Sequence, residues 1–270
     1  MSSDKILTII KEKKKKEIIN MLEADGKIKT LSFFAEVLNK RAYFTLNSDG
    51  MIKRNELNFI LPIFAFSDDL DYLADSIINF SDLKEREKIS DICRFSNAEI
   101  PKLKEKLIKT LSNGNLDFSK KYGKELFLRD REEFYKTILE FSFLGDIKSL
   151  KPLLVLSFKK LFENEKYEEK VFFLLISFIT KYRDNFYFYE KCKKDNNIIS
   201  LEKLKESVLS NKELLESREG LEVLSTLKAL EMYKFKNFDK FLSKMADEIR
   251  MIKNLTALDE TTKKLSIAFL

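Results

Sequence analysis

The chain has no histidine anywhere in its 270 residues. That absence removes the commonest metal ligand, the one side chain whose unperturbed charge changes near neutral pH, and the Ser-His and Cys-His nucleophile pairs. Tryptophan is missing too, glycine occurs six times and proline three times. The two cysteines, Cys93 and Cys192, lie far apart and lack the paired spacing of zinc ribbons or redox motifs, so they read as packing thiols in a reducing compartment. The longest apolar run, Val171 to Ile179, is well short of the roughly 20 residues that span a membrane as a helix. Lys11 and Lys13 to Lys16 interrupt the apolar residues where a secretory signal requires a continuous run, and a cytoplasmic location is expected. No G-x-G-x-x-G, Walker lysine loop or G-x-S-x-G is present, and no cofactor or metal is expected.

What is present is phenylalanine, leucine, isoleucine and lysine at helical spacing. Apolar residues recur at three and four, and strand-type alternation is absent over any useful length. The predicted class is all-α, an irregular multi-helix bundle or a degenerate, solenoid-like array of helical hairpins with no significant β-sheet. No repeat consensus of about 33, 34 or 40 residues is found. Four glycines, Gly26, Gly50, Gly114 and Gly145, each stand two positions before an aliphatic residue, an arrangement that suits a left-handed helix end.

Helices are predicted from Asp4 to about Asp25, and near 29–41, 54–66, 68–79, 82–95, 99–112, 118–128, 130–144, 147–163, 165–192, 200–210, 212–234, 237–253 and 257–268. Ser67 and Ser81 precede acidic first turns and read as N-caps, and Pro101 fits the first turn of its helix. Pro62 and Pro152 lie within apolar helical patterns, where a kink or break is expected. A subdomain boundary is placed near 114, giving an N-terminal part at 1–113 and a C-terminal part at 114–270 with a buried central helix near 165–192.

The segment Thr45 to Glu56 has the register of a calcium loop, with oxygen-bearing side chains at Thr45, Asn47 and Asp49, Gly50 sixth, Ile52 eighth and Glu56 twelfth. Its first place is Thr rather than Asp, and Lys53 and Arg54 offset the carboxylates, so a helix corner is the expected structure. Asp49-Gly50-Met51-Ile52 with Glu56, followed by Leu57, Ile60, Leu61 and Phe64, resembles the tellurite-resistance TerB-like helical domains over about residues 20–80. Asp25-Gly26-Lys27-Ile28 is a fainter echo with Ser32 in the place of the glutamate. The resemblance implies a helical module of metal- or membrane-stress complexes with no established catalysis, and it transfers no site residue.

Carboxylate groups at Asp68, Asp71 and Asp75, at Glu132 and Glu133, and at Glu168 and Glu169 are the candidates for acid–base pairs or two-metal ligands. They fall on first turns or beside lysines, and solvated helix faces are expected. The 50 basic and 44 acidic residues leave a small net charge of +6, mostly carried by lysine. Two segments are candidates for contact with a partner. One is the aromatic stretch Tyr182, Phe186, Tyr187 and Tyr189; the other is the apolar C-terminus with Phe269 and Leu270. For nucleic acid, the alternative partner, the candidates are Lys11, Lys13, Lys14, Lys15 and Lys16 together with Arg183, Lys191, Lys193 and Lys194. A peripheral membrane role for the lysine-rich first helix is a further alternative. The function expected is that of a non-enzymatic helical scaffold, adaptor or assembly subunit with a protein partner.

Overall fold

The computed structural model describes residues 3–40, 44–46, 48–54, 58–84, 86, 95–182, 199–235 and 238–269. Among these the chain is all-α, with fourteen helices and one short two-stranded hairpin. It divides into two compact units, one formed by residues 1–134 and 157–183 and the other by 135–156 and 184–270. The boundary expected near 114 lies inside the first unit.

Helix α1 (Ser3–Lys11) lays Ile9 and Ile10 into the core against α2 (Lys15–Leu38). The single helix expected to reach Asp25 is broken between them. Lys13 takes φ 50°, Lys14 N–H donates to the Ile9 carbonyl at 2.9 Å, and Lys13 N–H donates to that of Ile10 at 3.2 Å. This is the Schellman helix end, made here without glycine. The same pair of bonds closes the helix that ends at Ser112, with Gly114 at φ 66°, as the sequence suggested. Gly26, at φ 79° and ψ 174°, is also non-helical, and α2 is kinked there, its two helical segments meeting at the glycine.

At Gly50 the expectation of a helix corner is overturned. Strands β1 (Phe44–Leu46) and β2 (Ile52–Arg54) pair antiparallel with Phe44 opposite Arg54, and Gly50 in the turn has φ 79°. Asp-Gly between short β-forming segments is a hairpin signal, and Met51 N–H donates to Asp49 Oδ1 at 3.1 Å. Helix α3 (Ile60–Phe66) therefore starts later than expected. Pro62 falls in its first turn, and Pro152 is the second residue of α8 (Lys151–Leu161). Neither kinks a helix, because first-turn N–H groups have no intrahelical acceptor to lose.

Helix α4 (Leu70–Phe80) is capped by Asp69, which accepts from Tyr72 N–H, while Ser67 stands two residues before the cap and accepts from Asp69 N–H at 3.3 Å. Residues 81–84 are not helical, and the rest of the predicted 82–95 helix lies outside the described residues apart from Arg86, which bridges to Lys40, and Phe95, which is not helical. Helices α5 (Ile100–Ser112) and α6 (Leu116–Arg129) form a hairpin that packs on α9 (Glu169–Lys181), as does α2. Val171 to Thr180 are all buried. Gly123 brings α6 close: a Cβ there would stand 3.2 Å from both Ile176 Cδ1 and Phe172 Cζ. Phe127 meets Phe134, Phe172 and Tyr167 at centroid distances of 5.2, 5.5 and 5.7 Å, and Phe158 stacks on Phe162 at 4.3 Å. The helix predicted over 165–192 stops at Lys181, with Tyr182 at ψ 101°.

The remaining helices are α7 (Arg131–Ser142), whose residues fall to both units as do those of α8, and five of the second unit. These are α10 (Leu201–Leu209), α11 (Lys212–Leu215), α12 (Arg218–Met232), α13 (Phe238–Arg250) and α14 (Glu260–Phe269). Helix α12 meets α10, α11 and α14. The helix expected over 212–234 is cut by Ser217, whose hydroxyl accepts from Gly220 N–H at 3.1 Å. A Cβ at Gly220 would fall 1.9 Å from the Leu214 carbonyl oxygen, so the cut brings α12 too close to α11 for any other residue.

Two measurements check this packing. Phe172→Ala is expected to lower the free energy of denaturant unfolding by about 3–5 kcal/mol, the usual cost of emptying an aromatic core position. Thr180 is 1% exposed and its hydroxyl lacks a hydrogen-bond partner. Thr180→Val removes that desolvated group and is expected to raise the free energy of unfolding in the same titration by about 1 kcal/mol.

Candidate functional site

The carboxylates singled out in the sequence are brought into braces between elements of the first unit. Lys15 holds Asp71 at 2.9 Å and Asp75 at 2.8 Å, and Lys27 reaches both the Ser67 carbonyl at 2.7 Å and Asp68. The Lys27 ammonium holds the Asp68 carboxyl below its usual range. Glu133 takes Lys104 at 2.6 Å, Glu132 takes Lys159 at 3.2 Å, Glu169 takes Lys124 at 2.7 Å, and Glu168 accepts from Ser32 at 2.7 Å. Among the described residues no cluster of three metal-ligating carboxylates or thiols occurs. A groove of 230 Å³ between α1 and α2, lined by Ile9 and Met21 with Lys5, Glu17 and Asp25, is smaller than the roughly 300 Å³ at which small-molecule pockets begin.

The lysine run is divided by the break at Lys13. Lys14 pairs with Glu12 and Glu17, and Lys15 with the two aspartates, whereas Lys11, Lys13 and Lys16 stay exposed. It therefore forms no continuous basic face. Tyr182 caps α9 and is half-buried. Phe186, Tyr187, Tyr189, Arg183, Lys191, Lys193, Lys194 and Leu270 lie outside the described residues, and Phe269 is described only as the last residue of α14.

An arrangement not singled out in the sequence stands on the α5–α6 hairpin. From Glu99 to Arg129 the chain carries eight basic residues against four acidic ones, so this segment holds four of the six net positive charges. Leu103, Leu107 and Leu111 of α5 and Leu126 and Phe127 of α6 face the core. Asn115 caps α6 by accepting from Phe118 N–H, which puts Phe118 and Tyr122 one turn apart on its outer flank. Their rings stack at 5.9 Å and 30°, Phe118 remains 46% exposed, and Lys106 Nζ of α5 lies 5.4 Å from the Tyr122 centroid. Lys102, Lys106 and Lys109 share one flank of α5, at spacings of four and three, and none has an ion pair among the described residues. The exposed acids Glu105 and Asp117 border this face.

The hairpin's far end is fixed by a buried acid. Glu125 is 1% exposed, accepts from Ser96 N–H at 2.6 Å and pairs with Arg129 at 3.0 Å. Burial opposes its charge, yet the Ser96 and Arg129 donors outweigh it and hold the carboxyl below the usual range. Arg129 also donates to the Ala98 carbonyl, tying the segment before α5 to the end of α6.

In the second unit Glu222 of α12 is 7% exposed, with Arg218 at 3.6 Å. Burial pushes its carboxyl up to about 8, with Glu219 and Asp146 adding to the rise and Arg218 and Lys148 opposing it. A carboxyl held neutral near pH 7 is able to give up a proton, but here it is enclosed by its own helix and neighbours and serves the packing.

No family model matches the chain, and neither a curated protein nor a solved structure matches it. Within the stretch of about residues 20–80 whose sequence resembles the TerB-like domains, the Asp49-Gly50 turn joins two strands.

Glu222 also generates a pH dependence. Its folded value lies above the unfolded one, so the folded chain keeps a proton that the unfolded chain has released, and stability falls as pH rises from the ordinary carboxylate range through about 8. Glu222→Gln is expected to flatten this slope, with a melting temperature above that of the parent at about pH 9 and close to it at about pH 5 in thermal unfolding followed by circular dichroism.

Proposed function

We propose that this chain works by binding, as an adaptor or assembly subunit that holds a partner on an outer helical face rather than converting a substrate, and that the contact face is the lysine-flanked aromatic flank of α5–α6. One observation carries the reading. Phe118 and Tyr122 stack outside a hairpin core that Leu103, Leu107, Leu111, Leu126 and Phe127 already complete, so folding does not require aromatic rings there. An exposed Phe118 stacked on a half-buried Tyr122, beside lysines that have no ion pair among the described residues, is the composition of a contact surface, in which rigid rings supply area at low entropic cost. No helix among the described residues is long and apolar enough to cross a membrane.

The reading is tested by recovering the tagged chain from its native host and assaying both protein and nucleic acid in the eluate. A stoichiometric partner is expected, lost in the double variant Phe118→Ser with Lys106→Glu and retained in the control Leu209→Ser, which alters an exposed apolar residue of the second unit. Equal recovery from the double variant and the parent, or a chain recovered alone, would overturn it.

A further inference from the structure

We propose that the α5–α6 face binds single-stranded nucleic acid, with a base laid on the Phe118–Tyr122 stack and neighbouring phosphates on Lys102, Lys106 and Lys109. This rests on the reading of that face as the contact surface and adds the class of its occupant.

The rings and the charges answer to different parts of such a strand. Phe118 is the outer member of the stack and is 46% exposed, so one aromatic face is open to a planar ligand. Every base offers a π-face to an aromatic side chain, and an unstacked base can reach one where a duplex, whose base faces are sealed against each other, cannot. The three lysines run along the adjoining flank of α5 over about 10 Å, the length of seven helical residues and of a few nucleotides. Lys106 belongs to both parts, because its ammonium sits 5.4 Å from the Tyr122 centroid while its neighbours on the flank are Lys102 and Lys109. The charge complement is thus a short polyanion with planar groups along it.

Other occupants match only half of this arrangement. An acidic peptide would meet the lysines and leave the open ring without a planar partner. A lipid surface needs a continuous apolar stripe, whereas here Asp117 adjoins Phe118 in the sequence and Glu105 lies between Lys102 and Lys109. Those two acids also repel phosphates, and they confine a bound strand to the line of the three lysines.

The test is fluorescence anisotropy of the full chain with labelled oligothymidylate, oligouridylate and a duplex of equal length at low salt. Both single strands are expected to bind more tightly than the duplex, with affinity falling as salt rises. Phe118→Ala, an exposed substitution whose melting curve is expected to match the parent's, should weaken single-strand binding roughly five- to hundred-fold without changing the salt slope. Lys106→Gln should reduce that slope by about 0.7, the share of one phosphate contact on a single strand. Equal binding of duplex and single strand, an affinity unmoved by Phe118→Ala, or no binding to any of the three would overturn the proposal. So would anionic vesicles or a polyglutamate peptide competing as well as the oligonucleotides do. If these assays fail while a partner is still recovered from the host and lost in the Phe118→Ser, Lys106→Glu variant, the contact face stands and only its occupant is wrong.

Discussion

Ten consecutive residues of α9, Val171 to Thr180, are buried on every side, and a helix with no face to water exists only where other helices surround it. The rest of the first unit follows from enclosing it. Helices α2, α5 and α6 supply the walls, and Gly123 lets α6 approach until only the tips of Ile176 and Phe172 separate them. Between α6 and α9 the space is filled by rings, with Phe127 and Phe172 each touching several others. Edge-on and tilted contacts let such rings interlock without leaving gaps.

Charge is arranged around this core in two distinct ways. The ion pairs from Lys15 to α4, from Lys104 to Glu133 and from Lys124 to Glu169 connect elements remote in sequence. These pairs are part-buried, and they fix which side chains stay neutralised. Against that background Lys102, Lys106 and Lys109 of α5, which have no ion pair among the described residues, stand out more clearly than the lysine-rich run near the N-terminus, where two of the five are taken up. Composition alone ranks the two regions in the opposite order.

Much of the architecture was legible in the sequence, because apolar residues at three and four report directly on which residues a helix buries. The helix over 99–112 begins and ends within a residue of its predicted limits, and the Gly114 end is the one its glycine foretold. Where the reading went astray, a local interaction outweighed the periodicity. Lys13 adopts a glycine-like conformation that its identity does not advertise, and Asp49-Gly50 turns a hairpin whose strands are too short to show alternation. The α5–α6 face escaped notice for a related reason. The sequence places a helix near 118–128 but its apolar spacing does not tell which rings stay outside; the structure starts the helix at Leu116 under the Asn115 cap, with Phe118 46% exposed and Tyr122 half-buried beside it.

The close approach at Gly123 has an effect beyond packing. Since even a methyl group added there would press on Ile176 and Phe172, the packing against α9 restrains α6 and with it the direction of Phe118 and Tyr122. Under the proposed reading of that face, a surface held in this way is a preset template, and the adjustment needed for a fit falls on the occupant, whose suppleness then governs discrimination.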